Sequence, residues 1–188
     1  MISTPRVLAT SRSSAHGFSK QPQASIFVLA NEGVEGDAHS GRTAQHLYLK
    51  RKNAAAPNLC QVHLFASEML DELAAQGFSI SPGDLGENLL TRGIDLIRLP
   101  LGTRLRIGSD LLTSPILEVT GLRTPCSQID AFRPGLQSLL YGPPLPGEDK
   151  RSLRAGIMTI VLRSGSIHPN DPIQVALPLE PHQALGPV

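Results

Sequence analysis

The sequence predicts a mainly β protein, folded as a closed or nearly closed β-barrel with a few short helices. About eight short apolar or alternating segments have the pattern of strands, whereas only one segment has the spacing of a firm helix. The 17 glycines and 16 prolines supply the many turns that short strands require. Because an antiparallel sheet of many short strands loses its exposed edges by closing on itself, these segments favour a barrel.

Alternation and turn residues place the individual strands. Arg104 and Arg106 alternate with Leu105 and Ile107, which is typical of a strand with one face in water. Pro115 predicts an edge or a bulge within its strand. In chain order, the predicted strands are residues 6–9, 25–30, 61–65, 89–91, 104–107, 111–119, 157–162 and 172–176. The Pro-rich segment 141–147 is predicted to be a surface loop.

One helix stands out between the third and fourth of these strands. Ser67 is placed to cap its start, and Gly77 is placed to end it in the left-handed conformation. Its predicted apolar face consists of Met69, Leu70, Leu73 and Ala74.

Size and composition limit the kind of protein. A chain of 188 residues suits a single domain over 1–188, with a core from about 6 to 176 and a Pro-rich tail, 177–188, that is extended or partly disordered. The net charge of +1 and the five Phe and two Tyr argue against nucleic acid as a partner. No apolar stretch has the length of a membrane span or an export signal, so we expect no membrane partner. Two cysteines without a CxxC motif fit the reducing cytoplasm.

Cys126 is the residue with the clearest chemical potential. Thr124 is a suitable N-cap and Pro125 suits the first helical position, so Cys126 is predicted to lie in the first turn of a helix. Arg123 adds a positive charge nearby. Both features favour the thiolate, which is the form that attacks carbon or binds a soft metal.

Two glycine-rich loops carry further polar residues. Segment 33–41 (GVEGDAHSG) contains Gly36, Asp37 and His39, and segment 81–88 (SPGDLGEN) contains Glu87 and Asn88. Such loops can bring backbone N–H groups close to a ligand, and their side chains suit an anionic ligand or proton transfer.

Two other kinds of site remain open on residue types alone. Zinc is disfavoured because the potential ligands lack the usual close pairing; these are His39, His46, His63, Cys60 and Cys126. Hydrolysis with Cys126 as nucleophile and His39 as base lacks a recognisable oxyanion motif. Cys60 is predicted to be a packing residue. The histidines predicted to be solvated are His16, His168 and His182.

Four separated blocks together resemble the MOSC domain, which is related to the carboxy-terminal part of molybdenum cofactor sulfurase. The blocks are residues 33–39 (GVEGDAH), 82–89 (PGDLGENL), 99–103 (LPLGT) and 118–126 (EVTGLRTPC), and Lys20 and segment 154–157 (RAGI) fit the two ends of the pattern. The resemblance implies a β-barrel of the pyruvate kinase barrel-domain type.

The same resemblance implies a pocket for a molybdopterin-type cofactor. Cys126 would be the molybdenum ligand, with Lys20, Gly36 and Arg123 binding the cofactor and Glu87 and Asn88 orienting the pterin or the substrate. His39 or Asp37 would deliver protons. The expected substrates are N-hydroxylated bases and related N-oxygenated compounds.

Departures from larger family members narrow this expectation. The chain has no room for a pyridoxal phosphate domain, and two cysteines cannot build an iron–sulfur cluster, so electrons would come from a separate flavin or iron–sulfur protein. A non-catalytic alternative is a carrier that uses Cys126 to deliver sulfur or molybdenum cofactor to another enzyme.

Overall fold

The protein is mainly β, and the computed structural model describes residues 4–144 and 151–188. The strands are β1 (Arg6–Arg12), β2 (Gln21–Gln23), β3 (Ile26–Leu29), β4 (Gly33–Val34), β5 (Val62–Ala66), β6 (Leu89–Arg92), β7 (Arg104–Ile107), β8 (Ile116–Leu122), β9 (Tyr141–Pro144), β10 (Arg151–Leu153), β11 (Ile157–Arg163), β12 (Gly165–Ile167) and β13 (Ile173–Ala176). The helices are α1 (Leu47–Lys52), α2 (Ser67–Ala75), α3 (Ser127–Phe132) and α4 (Leu136–Leu139), with a 3₁₀ turn at Leu96–Arg98.

The main sheet has eight strands in the order β13-β7-β8-β11-β5-β6-β1-β2. Its strand pairs are antiparallel except for β5 and β6, which are parallel. Two smaller sheets consist of β12-β3-β4 and β10-β9. The eight predicted strands are all present, and the additional ones are short, with two to four residues each.

The predicted closed barrel is not confirmed, because no sheet in 4–144 and 151–188 pairs its first strand with its last. The edge of β1 that does not pair with β6 contacts two different segments. Its carboxyl half pairs with β2, with Thr10 opposite Gln23. Its amino-terminal end meets the turn before β13, where the Val7 N–H donates to the Asp171 carbonyl at 3.0 Å and Arg6 forms an isolated bridge with Pro172. Since β2 occupies half of this edge, β13 cannot pair along all of β1.

Apolar residues form two cores on opposite faces of the sheet. Leu64 of β5 lies in the first core, and its neighbour Phe65 lies in the second, so this strand is covered on both sides. The second core also contains Met69 and Leu73 from α2 and Ile129 from α3. Helices α2, α3 and α4 therefore cover one face of the sheet, whereas α1 contributes no buried residue.

Helix α2 confirms the predicted apolar face only in part, and it departs from the prediction at its start. Met69 and Leu73 are buried, whereas Ala74 is exposed. Gly77 ends the helix with φ +90°, and the Phe78 N–H donates to the Leu73 carbonyl. The predicted cap is wrong by one residue: Ser67 is the first helical residue, and Ala66 is the N-cap.

Three further sequence predictions can be compared with the structure. Strand β8 begins only after Pro115, later than the predicted segment 111–119. Part of the predicted loop 141–147 forms strand β9, and its residues 145–147 lie outside the described part of the chain. The tail is an extended strap: the Leu122 N–H donates to the Gly186 carbonyl, and the Val188 N–H donates to the Leu122 carbonyl. No helix within 4–144 or 151–188 has the length and apolar character needed to cross a membrane.

Candidate functional site

Cys126 lies just beyond the end of β8, at the entrance to α3. The structure corrects the predicted helix start, because Cys126 is the N-cap of α3 and does not lie within its first turn. The Pro125 carbonyl accepts hydrogen bonds from Gln137 Nε2 and Tyr141 Oη, each at 3.1 Å. These contacts tie Pro125 to α4 and β9 and keep the segment before Cys126 extended.

The Cys126 side chain is partly exposed and packs against the second core. Its Sγ atom lies 3.7 Å from Gln128 Oε1, to which the thiol donates a weak hydrogen bond. Cys126 is thus packed against apolar side chains and remains partly exposed. This is the arrangement that a reactive thiol or a metal ligand requires.

Arg123 lies between Cys126 and the second glycine-rich loop. Its Nη1 donates to the Leu85 carbonyl at 2.6 Å, and its backbone N–H donates to the Gly156 carbonyl at 3.0 Å. Burial lowers the pKa of Arg123, and the neighbouring Cys126 and Glu87 side chains oppose this lowering. Arg123 therefore places a fixed positive charge beside the sulfur.

Asp37 is the centre of a buried polar network formed by loops that are distant in sequence. Lys20 Nζ forms an ion pair with Asp37 Oδ2, and Asn88 Nδ2 donates to the same oxygen at 3.1 Å. The other oxygen, Oδ1, accepts hydrogen bonds from the His39 N–H at 2.9 Å and from His39 Nδ1 at 3.2 Å. The Ser13 N–H adds a longer contact at 3.3 Å. Four different segments thus converge on one carboxylate.

The electrostatics of this network keep Asp37 ionised. Burial alone would raise the pKa of Asp37, but the hydrogen bond from His39 and the charge of Lys20 outweigh burial and hold the pKa well below its usual value. For Lys20, burial lowers the pKa and the Asp37 carboxylate opposes the lowering. Because Lys20 is paired with it, the Asp37 carboxylate does not easily take up a proton. Asp37 therefore orients His39 as a hydrogen-bond acceptor.

Glu87 supports the second glycine-rich loop from inside the protein. Its Oε1 accepts a hydrogen bond from the Gly83 N–H at 2.6 Å, whereas Oε2 is buried without a hydrogen-bond partner among the described residues. Burial raises the pKa of Glu87, against the opposing effects of the Gly83 hydrogen bond and the Arg123 charge. Glu87 is only 1% exposed, and through Gly83 it supports the loop from within.

The glycines of this site allow close approach of backbone segments. A Cβ on Gly86 would lie 2.5 Å from the Phe18 carbonyl oxygen, and one on Gly83 would overlap the Lys20 carbonyl. Both have positive φ. Gly36 also has positive φ, and a Cβ there would lie 2.7 Å from Arg12 Nη1. Only glycine lets the loop at 83–86 reach the segment that carries Lys20.

His63 is a buried member of the site that the sequence offered only as a possible zinc ligand. Its Nε2 donates to the Ala155 carbonyl at 2.8 Å, and its backbone N–H donates to Asn88 Oδ1 at 3.1 Å. Burial lowers the pKa of His63 well below its usual value, and the charge of Arg123 lowers it further. A histidine in a strand gives no sequence signal for this role, because the contacts come from distant segments.

The second cysteine, Cys60, is a thiol and not a thiolate. Burial raises the pKa of Cys60 to about 11, so this thiol is protonated at neutral pH, as expected for a packing residue. Within 4–144 and 151–188, no three His, Cys, Asp or Glu side chains are arranged to hold a metal ion.

Two cavities lie elsewhere on the molecule. One of about 470 Å³ lies between α2 and the segment 93–98, and one of about 590 Å³ lies between the β7–β8 connection and residues 163–171. Neither is lined by Cys126, Asp37 or His39. The candidate site is defined by its chemistry and not by the size of a cavity.

A family model for the MOSC domain matches residues 51–174, and the chain belongs to the MOSC domain family. The matched range includes Glu87, Asn88, Arg123 and Cys126. Lys20, Asp37 and His39 precede it, yet the fold brings Asp37 into contact with Asn88 of the matched range, and Lys20 and His39 into contact with Asp37. A search of curated proteins found no match.

Solved structures agree with this fold. The crystal structure of the YuaD protein from Bacillus subtilis has a TM-score of 0.73 and 23% identity, and the match covers 94% of this chain and 98% of that chain. YiiM from Geobacillus stearothermophilus has a TM-score of 0.58 and 18% identity, covering 97% and 77%. YiiM from Escherichia coli has a TM-score of 0.60 and 16% identity, covering 95% and 73%. At these identities the likeness extends to the fold alone.

Proposed function

We propose that this MOSC protein binds a molybdopterin-type cofactor and reduces N-hydroxylated bases or related N-oxygenated compounds in the cytoplasm. The observation that carries the proposal is the partly exposed Cys126 thiol beside Arg123, in the same loop region as the buried Asp37 network. Family membership supports the cofactor, and the arrangement of side chains supports the division of roles.

The donor set at Cys126 fits such a cofactor. Thiolate is a soft ligand, and a group that already carries dithiolene sulfurs needs only one more sulfur from the protein. The absence of a cluster of three metal-ligating side chains in the described residues agrees with a metal that arrives with its own ligands. Arg123 and Lys20 are the cations that would hold the anionic part of the cofactor.

Molybdenum in this cofactor would supply two-electron oxygen-transfer chemistry. The overall reaction consumes two electrons and two protons, converts the N–O bond of the substrate to N–H, and releases the oxygen as water. The electrons come from a separate flavin or iron–sulfur protein, which we propose as the partner. The protein's own task is to position the substrate and to provide protons at the departing oxygen.

His39 is the best-placed proton donor. Its Nδ1 faces the Asp37 carboxylate and therefore carries a hydrogen, which leaves Nε2 available to hold or release a proton. Asp37 is held ionised by Lys20 and Asn88, so its role is to orient His39. The geometry thus favours His39 over Asp37 for proton delivery.

Replacing Cys126 with Ser tests this function. Protein made in a host that produces the cofactor is assayed for reduction of hydroxylaminopurine with a chemical electron donor. We expect Cys126→Ser to lower turnover by at least about 100-fold, because a metal ligand is lost. Cys60→Ser is the matched control and retains turnover, because Cys60 is a protonated thiol that we predict to serve in packing.

The outcomes separate reduction from delivery. Full turnover by Cys126→Ser, with its fold intact, would refute the ligand role. A sulfane-sulfur adduct on Cys126 in wild-type protein that shows no turnover would favour the carrier function.

A further inference from the structure

The rings of His16 and His46 both pack against that of His39, and the mechanism above uses only His39. The ring centroids of His16 and His39 are 5.1 Å apart and the rings are nearly perpendicular. The centroids of His39 and His46 are 6.0 Å apart. The three rings come from three separate segments: the one after β1, the loop after β4, and the residue that precedes α1. His16 is exposed, as predicted, but it also packs on His39.

Surrounding groups fix the central ring and leave its outer nitrogen available. Asp37 accepts from His39 Nδ1, and Asn58 Nδ2 donates to the His39 carbonyl at 3.0 Å and to the Gly41 carbonyl at 2.9 Å. His39 is therefore held from both its side chain and its backbone. Its Nε2 acts as an acceptor in the neutral ring and as a donor in the protonated ring.

The surroundings of His46 disfavour its protonated form. Burial lowers the pKa of His46, and the charges of His39, Arg123 and His16 lower it further. The charged groups around the rings are Asp37 from the loop after β4, Lys20 from the segment before β2, and Arg123 from the segment after β8. With Asp37 paired to Lys20, Arg123 and the imidazoles leave an excess of positive charge when the rings are protonated.

We propose that His16, His39 and His46 form a binding site for a phosphate-type oxyanion that fills when the imidazoles are protonated. An anion would remove the mutual repulsion of the three rings and accept hydrogen bonds from them. Because the imidazoles must be charged, the anion binds more tightly as the pH falls. Which molecule carries the phosphate rests on the proposed function, whereas anion binding at the three histidines requires no metal.

Sulfate is the probe for this site, because it stays a dianion across the relevant pH range. Metal-free full-length protein is titrated with sulfate at constant ionic strength, and the imidazole proton signals are followed by NMR. We expect saturable shifts of three histidines, with binding at least about tenfold tighter at about pH 5.5 than at about pH 8, which corresponds to about 1.4 kcal/mol.

Substitution of the outer rings tests whether the site is specific. His16→Gln and His46→Gln should each weaken sulfate binding by about fivefold or more at low pH, and the double variant should lose most of the pH dependence. His182→Gln, a change of an exposed histidine in the tail, is the control and should bind as wild type does. Absence of saturable binding in wild type, or binding that the double variant leaves unchanged, overturns the proposal.

Further binding measurements distinguish two molecules that could carry the phosphate, a nucleotide substrate and the cofactor. If the phosphate belongs to a nucleotide substrate, a nucleoside 5′-monophosphate binds more tightly than its nucleoside, and the double variant removes the difference. If it belongs to the cofactor, the two bind alike, and the double variant retains less pterin after purification. Sulfate binding without turnover of hydroxylaminopurine would refute the proposed reductase function and leave the anion site standing.

Discussion

Asp37 and His63 are buried polar side chains with opposite charge requirements. Asp37 is stabilised as a carboxylate by Lys20 and Asn88, whereas His63 is stabilised as a neutral ring that donates to the Ala155 carbonyl. Both have pKa values below their usual ones, Asp37 through its hydrogen bonds and ion pair against the effect of burial, and His63 mainly through burial. Lowering the pH therefore destabilises the fold at both positions, but in two separate ranges.

The contribution of His63 to the free energy of unfolding can be recognised by the pH range in which it is lost. The stability linked to a lowered pKa is fully present above the unfolded value, about 6.5 for histidine, and is lost as the pH falls toward the folded value. We expect the wild-type free energy of unfolding to fall below about pH 6.5 by up to about 1.4 kcal/mol per pH unit, and His63→Gln to reduce this slope. Urea unfolding from about pH 7.5 to pH 5 measures it.

The same experiment contains its own control. When the measurement is extended above about pH 7.5, where an unfolded histidine is almost entirely neutral as well, the wild-type and variant curves should run parallel. Equal slopes below pH 6.5 would contradict a neutral, buried His63.

At the scale of elements, the site depends on how closely the loop at 83–86 packs against the segment before β2. Gly83 and Gly86 have φ of +88° and +80°, and both face carbonyl groups of that segment. The Lys20 N–H donates to the Gly83 carbonyl at 2.8 Å, which joins the two segments directly. A side chain at either glycine would separate Lys20 from Asn88 and hence disturb Asp37.

Gly86→Ala tests this close packing, with Gly77→Ala as the matched control. Both glycines have positive φ, but a Cβ on Gly77 would meet no atom within 4 Å, whereas one on Gly86 would lie 2.5 Å from the Phe18 carbonyl oxygen. We expect Gly77→Ala to cost about 1 kcal/mol from backbone strain alone and Gly86→Ala at least about 2 kcal/mol more. Chemical denaturation compares the two, and equal losses would show that the loop is not tightly packed.

The sequence predicts local elements well where the signal is local. The alternation of Arg104 with Leu105 gives β7 its observed bounds, and Gly77 ends α2 where expected. The start of α3 is missed because the Pro125 carbonyl is held by Gln137 and Tyr141, which are more than ten residues away. His63 is missed for the same reason, since its partners lie on other segments.

At the scale of the whole molecule, the arrangement of strands explains why residues so far apart share one site. One region of the molecule contains the carboxyl end of β8, the start of β6 and the loops after β1 and β4. These four segments carry Arg123, Asn88, Lys20 and Asp37, respectively, which contact or adjoin one another. The predicted barrel differs from the observed open order of strands because β2 covers half of the edge of β1. Alternation within strands predicts which faces are buried, but not which edges pair.

The tail contributes to the same end of the sheet. At the carboxyl end of β8, the Leu122 N–H donates to the Gly186 carbonyl, and Leu185 is buried in the first core. A Cβ on Gly121 would overlap the Val188 side chain, so glycine is needed where the strap crosses β8. The strap thereby supports the strand that leads to Cys126.

The molybdenum content of purified protein tests the central claim, that Cys126 holds a cofactor-bound metal, most directly. Wild type, Cys60→Ser and Cys126→Ser are made in the same cofactor-producing host and analysed for metal per chain by elemental mass spectrometry. Wild type and Cys60→Ser should retain close to one molybdenum per chain, and Cys126→Ser about a tenth of that or less. Equal molybdenum in Cys126→Ser and wild type, or none in any of the three, would contradict the account.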